Sequence, residues 1–241
     1  MLRVAANGVS ARMKPDLEKV PEPKGREGSI PSGRVTLQGE LIVPPGAKGI
    51  VLFAHGSGSS RHSTRNQQVA RILRKAGLGT LLFDLLTAEE EELDMRSRHL
   101  RFDIGLLAGR LMDATAWITG SAETQHLRIG YFGSSTGAAA ALVAAAKLPE
   151  KVEAVVSRGG RPDLAGPALP EVKAATLLIV GERDEVVTAL NEQAFNHLRC
   201  AKEIKIVPAA THLFEEPGTL EEAARLAGDW FDRYLQKLAK L

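Results

Sequence analysis

The stretch Leu127–Arg128–Ile129–Gly130–Tyr131–Phe132–Gly133–Ser134–Ser135–Thr136–Gly137 decides the reading of this chain. A short β-branched and aromatic run enters G-x-S-x-G, and the residues that follow, through Leu148, are mostly alanine and read as a helix. Strand, sharp turn and helix in that order place the central serine, Ser135, at the carboxyl end of a buried strand. Small residues at Gly133 and Gly137 allow the tight backbone path, and the helix aims its first amides at developing negative charge. Glycine and serine also make ordinary turns, and Ser134 is out of register for this role. The serine therefore needs a base and an orienting acid before it carries chemistry.

Two later segments supply them. Thr176 to Val180 is an apolar run followed by Gly181–Glu182–Arg183–Asp184, and Glu203 to Val207 is followed by Pro208–Ala209–Ala210–Thr211–His212. Each puts a polar side chain just past the carboxyl end of a predicted strand, the edge at which parallel α/β sheets build their sites. Taken singly, His212 is equally a structural histidine, and Glu182 and Glu185 rival Asp184. Together the order serine, acid, histidine gives Ser135 the role of nucleophile, His212 that of base and Asp184 that of orienting carboxylate. Activity is then expected to rise with pH as His212 loses its proton. Earlier in the chain, Gly49 to Ala54 opens into His55–Gly56–Ser57–Gly58. The backbone N–H groups of Ser57 and Thr136 are the expected oxyanion donors, each worth about 3 to 4 kcal/mol in the transition state. His55 reads as a residue that shapes the loop.

Around these motifs, strands and helices alternate. Strands are predicted at 34–43, 49–54, 80–83, 127–132, 152–157, 176–180 and 203–207, and their runs are continuous rather than alternating, as suits a sheet covered on both faces. Helical stripes include Val69, Ile72, Leu73 and Ala76, then Leu100 through Ile118, and a last helix capped by Thr219 with Glu222 completing a capping box. The predicted class is α/β, a mostly parallel sheet with helices on both faces. Residues 1–33, rich in proline, glycine and charge, read as a loosely ordered arm, and 34–241 as one catalytic domain.

Composition narrows the partners. Lys and Arg number 31 against 29 Asp and Glu, for a net charge of +2, so no strong nucleic-acid face is expected. Cys200 is the single cysteine, which rules out an intramolecular disulfide and a multi-cysteine zinc site. The longest apolar run, Gly137 to Ala146, falls well short of the roughly 18 residues that span a bilayer. The expectation is a cytoplasmic enzyme without cofactor or metal, acting on a small molecule as a monomer or homodimer, with no nucleic acid or membrane partner.

From Arg34 to its end the chain resembles serine α/β-hydrolases of the dienelactone hydrolase-like family, through His55–Gly56–Ser57–Gly58, Gly133–Ser134–Ser135–Thr136–Gly137, Gly181–Glu182–Arg183–Asp184 and Thr211–His212. The resemblance implies an α/β-hydrolase fold and ester hydrolysis. It departs at the elbow, where dienelactone hydrolases proper carry a cysteine and this chain carries Ser135, so lactone specificity and thiol activation do not carry over. Many relatives insert a helical cap before the acid strand. Here the stretch from Arg158 to Ala174 is short and rich in glycine and proline. A minimal cap and an open cleft for small or short-chain carboxylic esters are expected.

Arg61, His62, Arg158 and Arg161 are candidates to bind a substrate carboxylate or phosphate. Glu89 to Glu92 reads as a solvated entry to a helix rather than a metal site, and Trp117 and Trp230 as packing. Acyl transfer to another acceptor, or peptidase action, needs only the same three residues. A dinucleotide-binding oxidoreductase is a further alternative, since Gly56–Ser57–Gly58 follows a strand and a second strand ends at Asp84. Arg61 stands where that fingerprint needs its third glycine.

Overall fold

A computed structural model describes residues 25–236. Eight strands and six helices alternate: β1 (Arg26–Ser32), β2 (Val35–Ile42), β3 (Gly49–Ala54), α1 (Thr64–Lys75), β4 (Gly79–Phe83), α2 (Ala88–Ser97), α3 (Ile104–Gly120), β5 (Arg128–Ser134), α4 (Thr136–Lys147), β6 (Val152–Arg158), β7 (Ala175–Gly181), α5 (Glu185–His197), β8 (Lys202–Val207) and α6 (Thr219–Leu235). They build one sheet in the order β1-β2-β4-β3-β5-β6-β7-β8. The six strands from β4 to β8 run parallel, whereas β1 pairs antiparallel with β2 and β2 antiparallel with β4.

The continuous apolar strands bury both faces. On β3, Ile50 and Leu52 meet the helices α3 and α4, while Val51 and Phe53 face α1 and α6. Each fully buried side chain of this kind contributes about 1.5 to 3 kcal/mol. Helix α4 lies close to the sheet because its residues Ala138 to Ala141 carry only a methyl group, and all four are buried. A Cβ at Gly137 would overlap the carbonyl oxygen of Ala54, so only glycine lets α4 leave the elbow against β3.

The fold departs from the sequence reading in two places. Residues 26–32, read as part of the arm, are the edge strand β1, paired from Arg26–Leu41 to Ser32–Val35, so the sheet begins before Arg34. Pro31 fits there because an edge strand has one side whose N–H groups need no partner. The remainder of the predicted arm, 1–24, lies outside the described residues. Glu89 to Glu91 form the first turn of α2, in keeping with the expected entry to a helix, with Thr87 and Glu90 making a reciprocal capping box. The box predicted at Thr219 is absent: Gly218, at φ 82°, caps α6, and the Thr219 hydroxyl donates back to the Glu216 carbonyl. Among the described residues no helix is long and apolar enough to cross a membrane.

Candidate active site

Every candidate side chain arrives on the carboxyl edge of the sheet because its strand ends there. β5 delivers Ser135, which occupies the left-handed region at φ 51° and ψ −124° and caps α4. A serine held there costs on the order of 1–3 kcal/mol and persists because neighbours fix it. The Ser135 carbonyl accepts from the N–H of Ala138 and from that of Arg161, 3.0 Å away, which ties the elbow to the loop after β6. The elbow also touches the loop after β3. A Cβ at Gly56 would stand 3.0 Å from that of Ser135, and the hydroxyls of Ser57 and Thr136 lie 2.9 Å apart. The two expected oxyanion donors thus belong to residues in contact on either side of the serine.

His212, from the loop after β8, places Nδ1 2.6 Å from Oδ2 of Asp184, at the end of β7. The rival acids point elsewhere. Glu182 accepts from the Ala209 N–H at 2.7 Å, and Glu185 is exposed at the start of α5. Ser135 and His212 line one cavity of about 140 Å³ together with Ser57, Arg65, Asn66 and Arg158. A larger cavity of about 790 Å³ adjoins it through Gly56, Ser57 and Arg65, and is also lined by residues of α2 and by Arg101. The connection after β6 is only a 3-10 segment, Pro162–Glu171, kinked at Gly166.

His55 is buried. Its Nδ1 stands 3.0 Å from the Gly56 carbonyl, and its Nε2 accepts from the Leu85 N–H at 3.0 Å. Burial lowers its pKa, outweighing the Gly56 carbonyl and the Asp84 charge, so the neutral ring clamps the end of β3 to the end of β4.

The four candidate anion binders divide. Arg61 is committed to Asp84 through its backbone N–H at 2.7 Å and through its guanidinium, which also occupies the carboxylate that a dinucleotide ribose would need. The Arg161 side chain closes a two-point pair with Asp163, at 2.8 and 2.7 Å, and only its backbone meets the elbow. These two corrections share a cause: each guanidinium has a carboxylate within reach, one on the next strand and one two residues along. His62 is exposed at the rim of the larger cavity. Arg158 alone lines the serine's own cavity with its side chain buried.

Sequence reasoning missed Arg65, Asn66, Asp94 and Arg101. Asp94 accepts from the Leu100 N–H at 2.7 Å, the Arg101 N–H at 3.2 Å and the Arg101 guanidinium, and the Arg101 carbonyl accepts from the Ser57 hydroxyl at 3.3 Å. The Thr87-x-x-Glu90 spacing was the available signal for the helix that carries Asp94.

The sequence matches the dienelactone hydrolase family over residues 37–240. The chain belongs to that family. A dienelactone hydrolase structure from Anabaena variabilis is 62% identical, with a TM-score of 0.88, over 89% of this chain and 100% of that one. Est1E from Butyrivibrio proteoclasticus shares the fold at 13% identity and a TM-score of 0.74, over 89% of this chain and 100% of its own. Two Mycobacterium tuberculosis proteins that bear a provisional phosphoribosyl transferase name are 56% identical over 215 residues, 89% of this chain but 48% of theirs. The chain spans about half the length of these curated relatives. As a member of the dienelactone hydrolase family it is an α/β hydrolase.

Proposed function

We propose that the protein is a serine hydrolase that cleaves small or short-chain carboxylic esters through an acyl-enzyme on Ser135. The observation that carries this reading is the sharing of one cleft by a serine in a left-handed elbow and an imidazole whose Nδ1 is already bonded to Asp184. With Nδ1 so engaged, Nε2 is the His212 nitrogen assigned to the hydroxyl that shares its cavity.

In the first half-reaction the Ser135 Oγ attacks the ester carbonyl carbon and its proton passes to Nε2 of His212. Asp184 holds the ring tautomer and stabilises the imidazolium. The oxyanion is received by the N–H groups of Ser57 and Thr136, the latter among the first amides of α4, which lack an intrahelical acceptor. The bond to the alcohol oxygen then breaks and the imidazolium returns the proton to the leaving alcohol. Water attacks the acyl carbon, Nε2 takes its proton, and the acid leaves as Ser135 is restored. The His212 side chain is 40% exposed, so water reaches it, and water is the acceptor we assign. The phosphoribosyl transferase name belongs to relatives about twice as long, and the chemistry proposed here is that of the part this chain matches.

A fluorophosphonate probe followed by peptide mapping tests the reading. Label on Ser135 in the natural protein, absent from Ser135→Ala, is expected, and an unlabelled Ser135 in folded protein refutes it. The serine's cavity of about 140 Å³ sets acyl size. Acetyl and butyryl esters are expected to be cleaved faster than dodecanoyl esters, and the reverse order would exclude the short-chain assignment.

A further inference from the structure

Arg158, the last residue of β6, is 7% exposed, and its Nε and Nη1 are buried without a hydrogen-bond partner among the described residues. Its guanidinium stands 5.5 Å from the centre of the Phe214 ring. That contact is worth about 0.5 to 2 kcal/mol, whereas an uncompensated buried ion costs several kcal/mol. Burial, and then the like charge of Arg65, lower its pKa to about 10, so it stays protonated at neutral pH, and among the described residues no carboxylate acts on it. The neighbouring arginines Arg61, Arg101 and Arg161 each have an acid partner; among the described residues Arg158 has none.

Its position gives this charge an address. Arg158 shares the small cavity with Ser135, His212 and Arg65, and a Cβ on the next residue, Gly159, would stand 3.0 Å from the His212 carbonyl oxygen. Arg65, at the start of α1, is half-buried and paired at 3.0 Å with Glu215, whose side chain is exposed. Two cations and the unmade hydrogen bonds of the Arg158 guanidinium thus converge on the cavity that holds the serine, a space that fits a compact polar group.

We infer that Arg158, with Arg65, is an anion subsite that selects esters carrying a carboxylate or phosphate group near the scissile bond. The ester part of this statement rests on the hydrolase reading above; the anion site does not. An aliphatic side chain at 158 would fold more cheaply than a buried unpaired charge. A substrate oxyanion completes the guanidinium only when bound, and its affinity comes from charge-assisted hydrogen bonds made in a site largely shielded from water.

Three 4-nitrophenyl esters test it: the neutral acetate, the anionic hemisuccinate and the anionic phosphonoacetate. The readout is the ratio of kcat/KM for each anionic ester to that for acetate. In the natural protein this ratio is expected to exceed one for at least one anion, and whichever anion it is identifies carboxylate or phosphate as the group recognised. Arg158→Met should lower that ratio by about 10- to 100-fold, the effect of one lost charge-assisted hydrogen bond. Its melting temperature should hold or rise, since the change removes an unpaired buried charge. A purely structural arginine predicts the opposite pattern, a lower melting temperature with an unchanged ratio. Arg65→Met, at a more exposed position, should also lower the ratio and guards against misfolding of the first variant. Ratios at or below one for both anions, or ratios untouched by both variants, overturn the subsite. Calorimetry of succinate and of inorganic phosphate with Ser135→Ala separates the two readings. Binding that Arg158→Met abolishes, in a protein that fluorophosphonate does not label, keeps the anion site and removes the esterase. Labelling of Ser135 with neither binding nor selectivity does the reverse.

Discussion

In the proposed mechanism Asp184 contributes no atom to the bonds that change, yet its 2.6 Å contact with Nδ1 leaves Nε2 as the ring nitrogen assigned to the serine. Asp184→Asn keeps the shape and, with an amide that can donate to Nδ1, favours the wrong tautomer, so kcat for a short ester should fall by roughly 10³- to 10⁴-fold. Steady-state kinetics at saturating ester measures this, and a loss under tenfold would remove the carboxylate from the mechanism. His55 does different work. Its pKa is lowered chiefly by burial, so the folded state refuses a proton that the unfolded chain accepts. The stability it allows is therefore complete above the ordinary histidine range and declines as pH falls below it, by at most about 1.4 kcal/mol per pH unit for one group. Urea unfolding at pH 7 and pH 5 should show a larger acid loss in the natural protein than in His55→Asn, and parallel losses would refute the assignment. Both histidines were visible in the sequence from the loops that hold them. What was not visible is which arginine keeps a free guanidinium, since that depends on carboxylates such as Asp84 that only the folded sheet brings near.

Elements with a strong period were legible and those without one were not. Helix α6 shows its stripe of Leu220, Ala223, Ala224, Ala227 and Phe231 in the sequence, and all five are buried. Helix α2 has none: Leu93 and Met95 are 63% and 68% exposed, and its only deeply buried residue is Asp94, at 2%. A polar hub rather than an apolar face holds it against the 3-10 turn Leu100–Phe102, and no hydrophobic pattern announces such a hub. Burial by itself would raise the Asp94 carboxyl, but the hydrogen bonds from the Arg101 side chain, the Arg101 N–H and the Leu100 N–H together outweigh it and hold the pKa below the usual aspartate value. The hub's stabilisation therefore persists through neutral and mildly acid pH and is lost only as pH falls below the ordinary aspartate value, through the lower pKa of the folded state. Asp94→Ala strands two backbone donors and a guanidinium, at a cost of about 2 kcal/mol. Denaturant titration should show that loss, and amide exchange should quicken over residues 88–102 before the sheet. Unchanged exchange there would mean that α2 is held by something else.

For the whole molecule, the parallel part of the sheet was written in uninterrupted apolar runs, and the order of the site's loops followed from it, because strands that share a direction end on one edge. The antiparallel flank was not. β1 alternates exposed and buried residues across Gly28, Ile30 and Ser32, and Pro31 interrupts its apolar pattern, so nothing in the run itself separates it from a polar arm. Its contribution is tertiary. Ile30 is fully buried opposite Leu37, the Ser32 hydroxyl donates to Asp113 of α3, and Trp117 packs over Gly28. Losing Ile30 alone costs about 2 to 3 kcal/mol, and removing β1 also bares the N–H and C=O groups of β2 along its full length. A chain begun at Arg34, the boundary that composition suggests, should therefore unfold at lower denaturant than the full chain and associate through its new edge, which size-exclusion chromatography at increasing concentration would reveal. The site should suffer less than the fold, because β1 is separated from Ser135 by β2, β4 and β3. The truncated chain should thus retain fluorophosphonate labelling at low temperature while losing stability. Equal midpoints for the two chains, with no association, would show that the edge strand contributes nothing to stability and that the sheet is complete from β2 onward.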